Sequence, residues 1–311
     1  MPRPRVLCLF GPTAAGKTDV LLSRFAGRAE VISADSMQVY RHLDIGTAKP
    51  GPAERAALPH HLLDIRNPDE QYHAGEFVAA AEALVPEIAA RGRLPIIAGG
   101  TGFYFRNFVF GLPGTPKGTA HSRARIRARL EAEGAEALYA ELARVDPVTA
   151  GRISENDTYR IQRALEVYEI SGRPLSSFDV PQTPREDFEV MLVGLWRERG
   201  ELGPRIEKRV GAMMAAGLPA EVEAVCRMGY GPQSPGLRGI GYREFFSVAG
   251  DAACAFASLG EDRLAAVAEE IVRGTRHYAK RQMTFFRRLP GVRWIEAGDE
   301  AALDELAAGA A

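Results

Sequence analysis

A glycine-rich run near the N-terminus has the residue types and spacing of a phosphate-binding loop. Gly11 and Gly16 are separated by four residues, and Lys17 and Thr18 follow directly. Glycines let backbone N–H groups turn towards a phosphate, the lysine reaches a terminal phosphate, and the hydroxyl can bind magnesium. The predicted diphosphate- or nucleotide-binding residues are Gly11, Pro12, Thr13, Ala14, Ala15, Gly16, Lys17 and Thr18. The structural alternative is a surface turn ahead of a helix, and the run alone does not distinguish transfer, hydrolysis or expulsion of the phosphate.

A carboxylate follows the next apolar run along the chain. Asp35 lies just past residues 30–33, which read as a buried strand. A carboxylate there can act as a general base or as an indirect magnesium ligand, or it can simply cap a turn or a helix. Downstream, Thr47 and Lys49 could hold phosphate oxygens, or they could be ordinary loop residues.

A second glycine cluster, residues 99–102, follows a third apolar run. Glycines at a strand end allow close approach of a ligand. The aromatic residues Phe103, Tyr104 and Phe105 come next. They could stack on a base, but packing in the core is the more common role of such residues and is what we expect here.

Two basic stretches predict a nucleic-acid partner. The first contains Arg123, Arg125, Arg127 and Arg129, which form two adjacent rows on a helix. The second contains Arg273, Arg276, His277, Lys280, Arg281, Arg287 and Arg288, with helical spacings of three and four. Such stripes follow a phosphate backbone, unless acids neutralise them as on a solvated helix face. Few acids follow in the sequence after Glu270, so we favour nucleic acid. The polar residues of 156–163 could read bases or cap a helix.

Strand and helix patterns alternate along much of the chain. Strands are predicted at residues 5–10, 30–33, 94–98, 190–195 and 292–295, and a helix at 74–91. Alternation of this kind indicates an α/β fold with a parallel sheet, whose ligands bind beyond the carboxyl ends of the strands. Residues 113–188 show only helical patterns, so we predict an all-helical insertion into a core formed by 1–112 and 189–311. The acidic, alanine-rich tail is expected to fray.

The composition places few limits on function. The 311 residues are 46% hydrophobic and 25% charged, which is ordinary for a globular protein, and the net charge of −1 implies no polyanion partner by itself. The three cysteines have no paired spacing, which indicates a reduced compartment and no zinc site. No run approaches the roughly 18 apolar residues of a membrane span. We therefore expect a cytoplasmic protein.

Eight motifs, taken in order, resemble those of the bacterial tRNA dimethylallyltransferases, also called tRNA isopentenyltransferases. They lie at 11–18 (GPTAAGKT), 35–40 (DSMQVY), 44–50 (DIGTAKP), 60–65 (HHLLDI), 99–104 (GGTGFY), 163–167 (RALEV), 241–244 (GYRE) and 275–282 (TRHYAKRQ). The resemblance covers nearly the whole chain. It departs from the family at Phe285, where a tryptophan is usual.

The resemblance implies a P-loop NTPase-like core and a prenyl transfer. The dimethylallyl group would pass from its diphosphate to the exocyclic amine of the adenosine on the 3′ side of the anticodon, in tRNAs reading codons that begin with U. Asp35 would be the base, with Lys17 and Thr101 as further catalytic residues and Mg²⁺ on Thr18. The implied tRNA contacts are Asp35, Ser36, Met37, Gln38, Thr101, Arg123, Tyr159, Arg160, Ile161, Gln162, Arg163, Arg238, Gly239, Ile240, Gly241, Tyr242, Arg243, Arg276, Lys280 and Arg281. The partners are the tRNA anticodon arm and dimethylallyl diphosphate, with no membrane, no obligate protein partner and a monomeric state.

Three rival functions remain open at this stage. A small-molecule or nucleoside kinase would use the same loop but would leave the basic stretches unexplained. A P-loop protein that binds RNA without catalysis would explain those stretches but not Asp35. An isopentenyltransferase acting on free adenine nucleotides would need neither the insertion nor the basic helix. The acceptor and the consumption of ATP distinguish these functions.

Overall fold

A computed structural model describes residues 3–249 and 254–310. The chain divides into two compact units: Met1–Val109 with Arg185–Ala311, and Phe110–Pro184. We call the first the core unit and the second the insertion unit. These bounds differ from the predicted ones by only a few residues.

The core unit contains a six-stranded sheet in which every pairing is parallel. The strands are β1 (Arg5–Phe10), β2 (Ala29–Ala34), β3 (His60–His61), β4 (Leu94–Gly99), β5 (Glu189–Trp196) and β6 (Arg293–Glu296). Their order across the sheet is β3-β2-β4-β1-β5-β6. The predicted parallel α/β fold is confirmed, and β3 is the strand that the sequence did not indicate.

Helices cover both faces of this sheet, which is why β1 and β2 are apolar almost throughout. The helices of the core unit are α1 (Lys17–Phe25), α2 (Pro52–Ala57), α3 (Ala74–Ala90), α4 (Gly102–Phe110), α8 (Arg199–Ala215), α9 (Leu218–Arg227), α10 (Arg243–Ala249), α11 (Glu261–Phe286) and α12 (Glu300–Gly309). Helix α4 ends one residue inside the insertion unit. No helix in the described ranges is long and apolar enough to cross a bilayer.

The insertion unit is built from α5 (Ala120–Val145), α6 (Pro147–Ala150) and α7 (Thr158–Ser171). Helix α5 bends at Gly134, whose φ of 84° is outside the helical range. Side chains cap all three helices at their N-termini, as Asp157 does for α7 by accepting a hydrogen bond from the Arg160 N–H group. Ile126, Leu138 and Leu165 are among the apolar residues that form a small separate core.

The C-terminal tail folds, so the prediction that it frays is wrong. Leu303 and Leu306 of α12 are buried in the same cluster as β1 and α1. Arg24 of α1 forms ion pairs with Glu300 and with Asp304, the latter at 2.7 Å. The alanines and acids that suggested a solvated tail therefore form an amphipathic helix on the sheet.

The insertion leaves and re-enters the core unit at one point. The Arg185 N–H group donates to the Val109 carbonyl oxygen at 2.9 Å. The Arg185 guanidinium lies over the rings of Phe108 and Phe188 and pairs with Asp187 at 2.8 Å. This cluster belongs entirely to the core unit.

Candidate active site

Three neighbouring strands bring the predicted site residues to one edge of the sheet. Strand β1 lies beside β4, and β4 lies beside β2, so their carboxyl ends adjoin. The phosphate loop (residues 11–18) follows β1, Asp35 follows β2, and Thr101 follows β4. The Thr101 N–H group donates to the Ala34 carbonyl oxygen at 3.1 Å, which joins two of these segments directly. The predicted crevice thus has its three walls.

The phosphate loop has a backbone that few residues other than glycine adopt. Gly16 has a φ of 104° and Ala14 a φ of 67°, both in the left-handed region. A Cβ on Gly11 would lie 2.5 Å from the Leu195 carbonyl oxygen, so no side chain fits there. Helix α1 begins immediately afterwards at Lys17. The loop therefore leads into a helix N-terminus, which favours anions.

Lys17 is the half-buried cation of this loop. Its Nζ donates to the carbonyl oxygens of Gly11 and Pro12, each at 2.9 Å. Burial and, to a smaller extent, the charge of nearby Arg209 lower its pKa to about 8, while the Asp35 carboxylate opposes this shift. The ammonium thus lies within the electrostatic reach of both residues. A bound diphosphate would raise this pKa again, because an opposite charge stabilises the ammonium form.

Two arginines, one just before α8 and one within it, donate hydrogen bonds to the phosphate loop. Arg197 Nε donates to the Ala15 carbonyl oxygen and Arg205 Nε to that of Ala14, both at 2.9 Å. These contacts join residues far apart in sequence, and the sequence analysis did not identify either arginine. These two hydrogen bonds therefore fix the direction of the Ala14 and Ala15 carbonyls.

Arg209, one helical turn after Arg205, is a second residue that the sequence analysis missed. Burial lowers the pKa of this guanidinium, and the charge of Asp35 opposes that shift. Among the described residues it has no hydrogen bond or ion pair. A half-buried cation without a partner among the described residues, close to Lys17, is a candidate diphosphate ligand. Its only sequence signal is the spacing of four from Arg205 on a helix.

Asp35 forms the turn that the sequence offered as one alternative, and its role as a base or magnesium ligand stays a prediction. Its Oδ1 accepts hydrogen bonds from the N–H groups of Met37 at 2.8 Å and Gln38 at 3.4 Å, which is an Asx turn. Its Oδ2 receives no hydrogen bond from the part of the chain that is described. One oxygen therefore orients the carboxylate, and the other is available to accept a proton.

Thr101 and Tyr278 bring two further elements close to the Asp35 segment. Thr101 Oγ1 accepts a hydrogen bond from the Ser36 N–H group at 3.0 Å. Burial and the Asp35 charge raise the pKa of Tyr278 to about 12. Tyr278 is a half-buried residue of α11, and its hydroxyl donates to the Gly100 carbonyl oxygen at 3.4 Å, so this long basic helix reaches the crevice.

The segment 44–49 has a structural role. Lys49 Nζ donates to the Tyr40 carbonyl oxygen and to the carboxylates of Asp44 and Asp64, all within 2.7 Å. Thr47 Oγ1 donates to the Leu43 carbonyl oxygen at 2.6 Å. Both side chains are committed to the loop itself, so the phosphate-binding alternative for them is not supported.

The aromatic residues after Thr101 pack mainly in the core, as expected. Tyr104 and Phe105 are buried, and Phe103 is 57% exposed. The departure from the resembled family at Phe285 affects packing, because a Cβ on Gly102 would lie 2.4 Å from the Phe285 ring.

The predicted tRNA contacts of the core unit include two adjoining segments. A Cβ on Gly239 would lie 2.3 Å from Met37 Cε, so segment 35–38 touches segment 238–243. Arg238 and Arg243 are exposed, whereas Tyr242 is fully buried and donates its hydroxyl to Glu221 at 2.8 Å. Gln38 Nε2 donates to the Thr47 carbonyl oxygen at 3.3 Å. The role of all these residues in binding tRNA stays a prediction.

In the insertion unit, the predicted contacts divide into exposed and buried residues. Tyr159 and Arg160 of α7 and Arg123 of α5 are exposed, and Gln162 of α7 is half-buried. Ile161 is fully buried in the small core. Arg163 pairs with Glu166 at 2.7 Å and donates to the Pro116 carbonyl oxygen at 2.9 Å. The side chain of Ile161 therefore serves packing, and its predicted contact with tRNA remains untested.

Comparison with known proteins gives a consistent result. Residues 38–289 match the family model described as IPP transferase. A tRNA dimethylallyltransferase of Verminephrobacter eiseniae is 46% identical over 302 residues, which cover 91% of this chain and 89% of that one. The solved tRNA isopentenylpyrophosphate transferase of Bacillus halodurans is 33% identical, with a TM-score of 0.66 over 99% of this chain and 97% of that one. A eukaryotic dimethylallyltransferase solved as acting on tRNA is 25% identical, with a TM-score of 0.76 over 98% and 77%.

Proposed function

The chain belongs to the IPP transferase family, and we propose that it transfers the dimethylallyl group of dimethylallyl diphosphate to the exocyclic amine of the adenosine on the 3′ side of a tRNA anticodon. The observation that carries this assignment is the placement of Asp35. Its Oδ2 is unbonded among the described residues, and its charge influences Lys17 and Arg209. This arrangement supports a base at Asp35 within the electrostatic reach of two half-buried cations.

The cations stabilise the leaving group. As the bond between the allylic carbon and the diphosphate oxygen breaks, its electron pair leaves with pyrophosphate. Lys17, Arg209 and the amides of the phosphate loop are placed to stabilise this charge where it develops. The loop thus holds a leaving group and donates no phosphoryl group.

Asp35 removes the proton that the new bond displaces. The adenine amine is a weak nucleophile because its lone pair is delocalised into the ring. As its nitrogen bonds to the allylic carbon, one amine proton passes to Asp35 Oδ2, while Oδ1 keeps the carboxylate oriented. A base in this role contributes about 10²–10⁴-fold.

The residues at the site fit a magnesium ion that is bound together with the substrate. Thr18 lies at the start of α1 and supplies a hydroxyl, and the described residues contain no cluster of three His, Cys, Asp or Glu side chains. That donor set suits a cation that keeps waters and diphosphate oxygens as ligands. When bound, Mg²⁺ would neutralise part of the diphosphate charge.

The tRNA is proposed to bind through its anticodon arm, with the target base turned out of its stack into the crevice. Lys280 and Arg281 of α11 and the exposed Arg238 and Arg243 supply cationic groups of the core unit. Contacts of this kind with phosphates make binding strongly salt-dependent.

A labelled-substrate assay tests the proposal. Wild-type protein and Asp35→Asn are incubated with labelled dimethylallyl diphosphate, Mg²⁺ and unmodified tRNA. Asparagine keeps the Oδ1 acceptor of the turn and removes the base, so we expect transfer to fall about 10²–10⁴-fold while tRNA affinity is unchanged. Transfer by the variant at the wild-type rate would reject Asp35 as the base.

The same assay separates the rival functions. Wild-type protein that leaves the tRNA unlabelled and consumes ATP would be a kinase. Label transferred to adenosine monophosphate in preference to tRNA would instead indicate an enzyme of free nucleotides. Binding of tRNA without any transfer would indicate an RNA-binding protein.

A further inference from the structure

We propose that Gln282 is a positioning residue for the phosphate loop and sets its affinity for the diphosphate. The proposal rests on the proposed function only in naming dimethylallyl diphosphate as the substrate. Gln282 lies on α11, some 270 residues after the loop, and its side chain is buried.

The side-chain amide of Gln282 connects two walls of the crevice. Its Oε1 accepts hydrogen bonds from the Thr13 N–H group at 2.9 Å and from the Thr13 hydroxyl at 3.4 Å. Its Nε2 donates to the Gly100 carbonyl oxygen at 2.8 Å. The loop after β1 and the loop after β4 are thus held by one side chain.

Only a group with one acceptor and one donor can make both contacts. If the amide were flipped, its NH₂ would face the Thr13 N–H group and its oxygen would face the Gly100 carbonyl. A glutamate would keep the Thr13 contact and put a carboxylate oxygen against the Gly100 oxygen. The chemistry of the two neighbours therefore specifies glutamine.

The contact between Gln282 and Gly100 leaves no room for a side chain at position 100. A Cβ on Gly100 would lie 2.2 Å from Gln282 Nε2, which is closer than any real contact. The absence of a side chain at Gly100 therefore lets Gln282 approach the backbone.

The direction of the Thr13 peptide is the property that Gln282 determines. Its N–H group donates to Gln282, so this amide already has a partner before any phosphate binds. Arg205 and Arg197 orient the next two carbonyls, those of Ala14 and Ala15, in a similar way. With these three groups of the loop fixed by hydrogen bonds, its remaining amides are preorganised for the diphosphate before it binds. Loss of one such hydrogen bond typically changes an equilibrium about two- to tenfold.

The test compares Gln282→Met with a matched control, Phe286→Leu. Methionine has a similar shape but makes neither hydrogen bond. Phe286 lies one turn later on α11, is buried and stacks on Phe10, so its truncation loosens the same helix without removing a contact to Thr13 or Gly100. The readouts are the melting temperature, the Kd for inorganic pyrophosphate with Mg²⁺, and the kcat and KM for dimethylallyl diphosphate.

We expect Gln282→Met to raise the pyrophosphate Kd and the KM about five- to tenfold, with kcat changed less than about twofold and tRNA affinity unchanged. A wild-type pyrophosphate Kd in Gln282→Met would overturn the proposal. Equal weakening in Phe286→Leu would also overturn it, because the effect would then come from helix packing.

Gln282→Glu provides a second, independent readout. A protonated carboxyl again has one donor and one acceptor, so the difference in pyrophosphate Kd between this variant and wild type should narrow as the pH falls. A difference that is independent of pH would count against the donor to Gly100. If the wild-type protein binds pyrophosphate but does not prenylate tRNA, the proposed function fails while these binding measurements still decide the role of Gln282.

Discussion

The arginines of α5 and the basic residues of α11 form similar stripes in the sequence, but their surroundings differ. Arg125 and Arg129 are paired with acids, and Arg129 contacts Glu133 at 2.8 Å and Glu169 at 3.2 Å. In contrast, Lys280 and Arg281 of α11, and Arg287 and Arg288 just after it, have no acidic partner among the described residues. Earlier on α11, Arg273 is paired with Glu270 and Arg276 with Glu207 of α8.

This difference shows that the partner, and not the charge itself, indicates what a cation does. Glu169 and Glu141 come from other parts of the insertion unit and turn half of the α5 stripe into a structural network. The unpaired residues of α11 and Arg209 have no acidic partner among the described residues, and we expect them to bind an external anion. If this interpretation is right, removing an unpaired cation should affect catalysis or tRNA binding, and removing a paired one should affect mainly stability.

The largest effect should separate Arg209 from Arg129. Arg209→Gln removes an unpaired cation beside the diphosphate, so kcat/KM should fall about 10²–10³-fold, as when a group that stabilises developing charge is lost. Arg129→Gln should change kcat/KM less than about twofold. Steady-state kinetics with tRNA as acceptor measure both, and similar losses in the two variants would contradict the distinction.

Lys17 should make diphosphate binding depend on pH. Its pKa of about 8 in the free protein lies below the ordinary value of 10.5, so its charged fraction falls about tenfold between pH 7 and pH 9. Since the anion binds the charged form, affinity for pyrophosphate should weaken over this interval by up to that factor. In Lys17→Arg, whose charge does not titrate there, the dependence on pH should be smaller. Calorimetry at several pH values checks both.

The unpaired cations of α11 should control affinity for tRNA. Replacing Lys280 and Arg281 by alanine should raise the Kd for tRNA about three- to tenfold at moderate salt and reduce the salt dependence by about one or two counterions. The matched control is Arg125→Gln, which removes a paired arginine and should leave the Kd unchanged. Filter binding over a range of salt gives the values. A larger effect in the control would reverse our assignment of the two stripes.

The smallest effect on activity should accompany a measurable effect on stability. Arg129→Gln leaves Glu141 and Glu169 without their shared partner, so we expect the free energy of unfolding of the insertion unit to fall by roughly 1–2 kcal/mol. Denaturant unfolding followed by circular dichroism measures it. An unchanged midpoint would mean that the network contributes little.

The strands were predictable because their signal is local. Strands β1, β2, β4 and β5 are buried on both faces, so each is a continuous apolar run that could be placed to within about a residue. Strand β3 was missed because two residues carry no such pattern. The tail α12 was misjudged because an alanine-rich helix resembles a solvated one until its partner surface is known.

The site was predictable only where a motif carries it. The phosphate loop, Asp35 and Thr101 lie in short runs whose spacing encodes their geometry. Arg197, Arg205 and Arg209 act on the loop from nearly 200 residues away, and nothing in their local sequence distinguishes them from other helical arginines. Likewise, the sequence does not state which carboxylate oxygen of Asp35 the turn occupies and which is left to accept a proton.

The single hydrogen bond between Val109 and Arg185 has a consequence for how this architecture tolerates change. Because the two ends of the insertion already meet, the core backbone closes there whatever lies beyond. The entropy of closing a loop grows only with the logarithm of its length, so a longer or shorter excursion alters the stability of the sheet very little. In evolutionary terms, this junction is a position at which a helical insertion can be gained, lost or exchanged with little effect on the core unit.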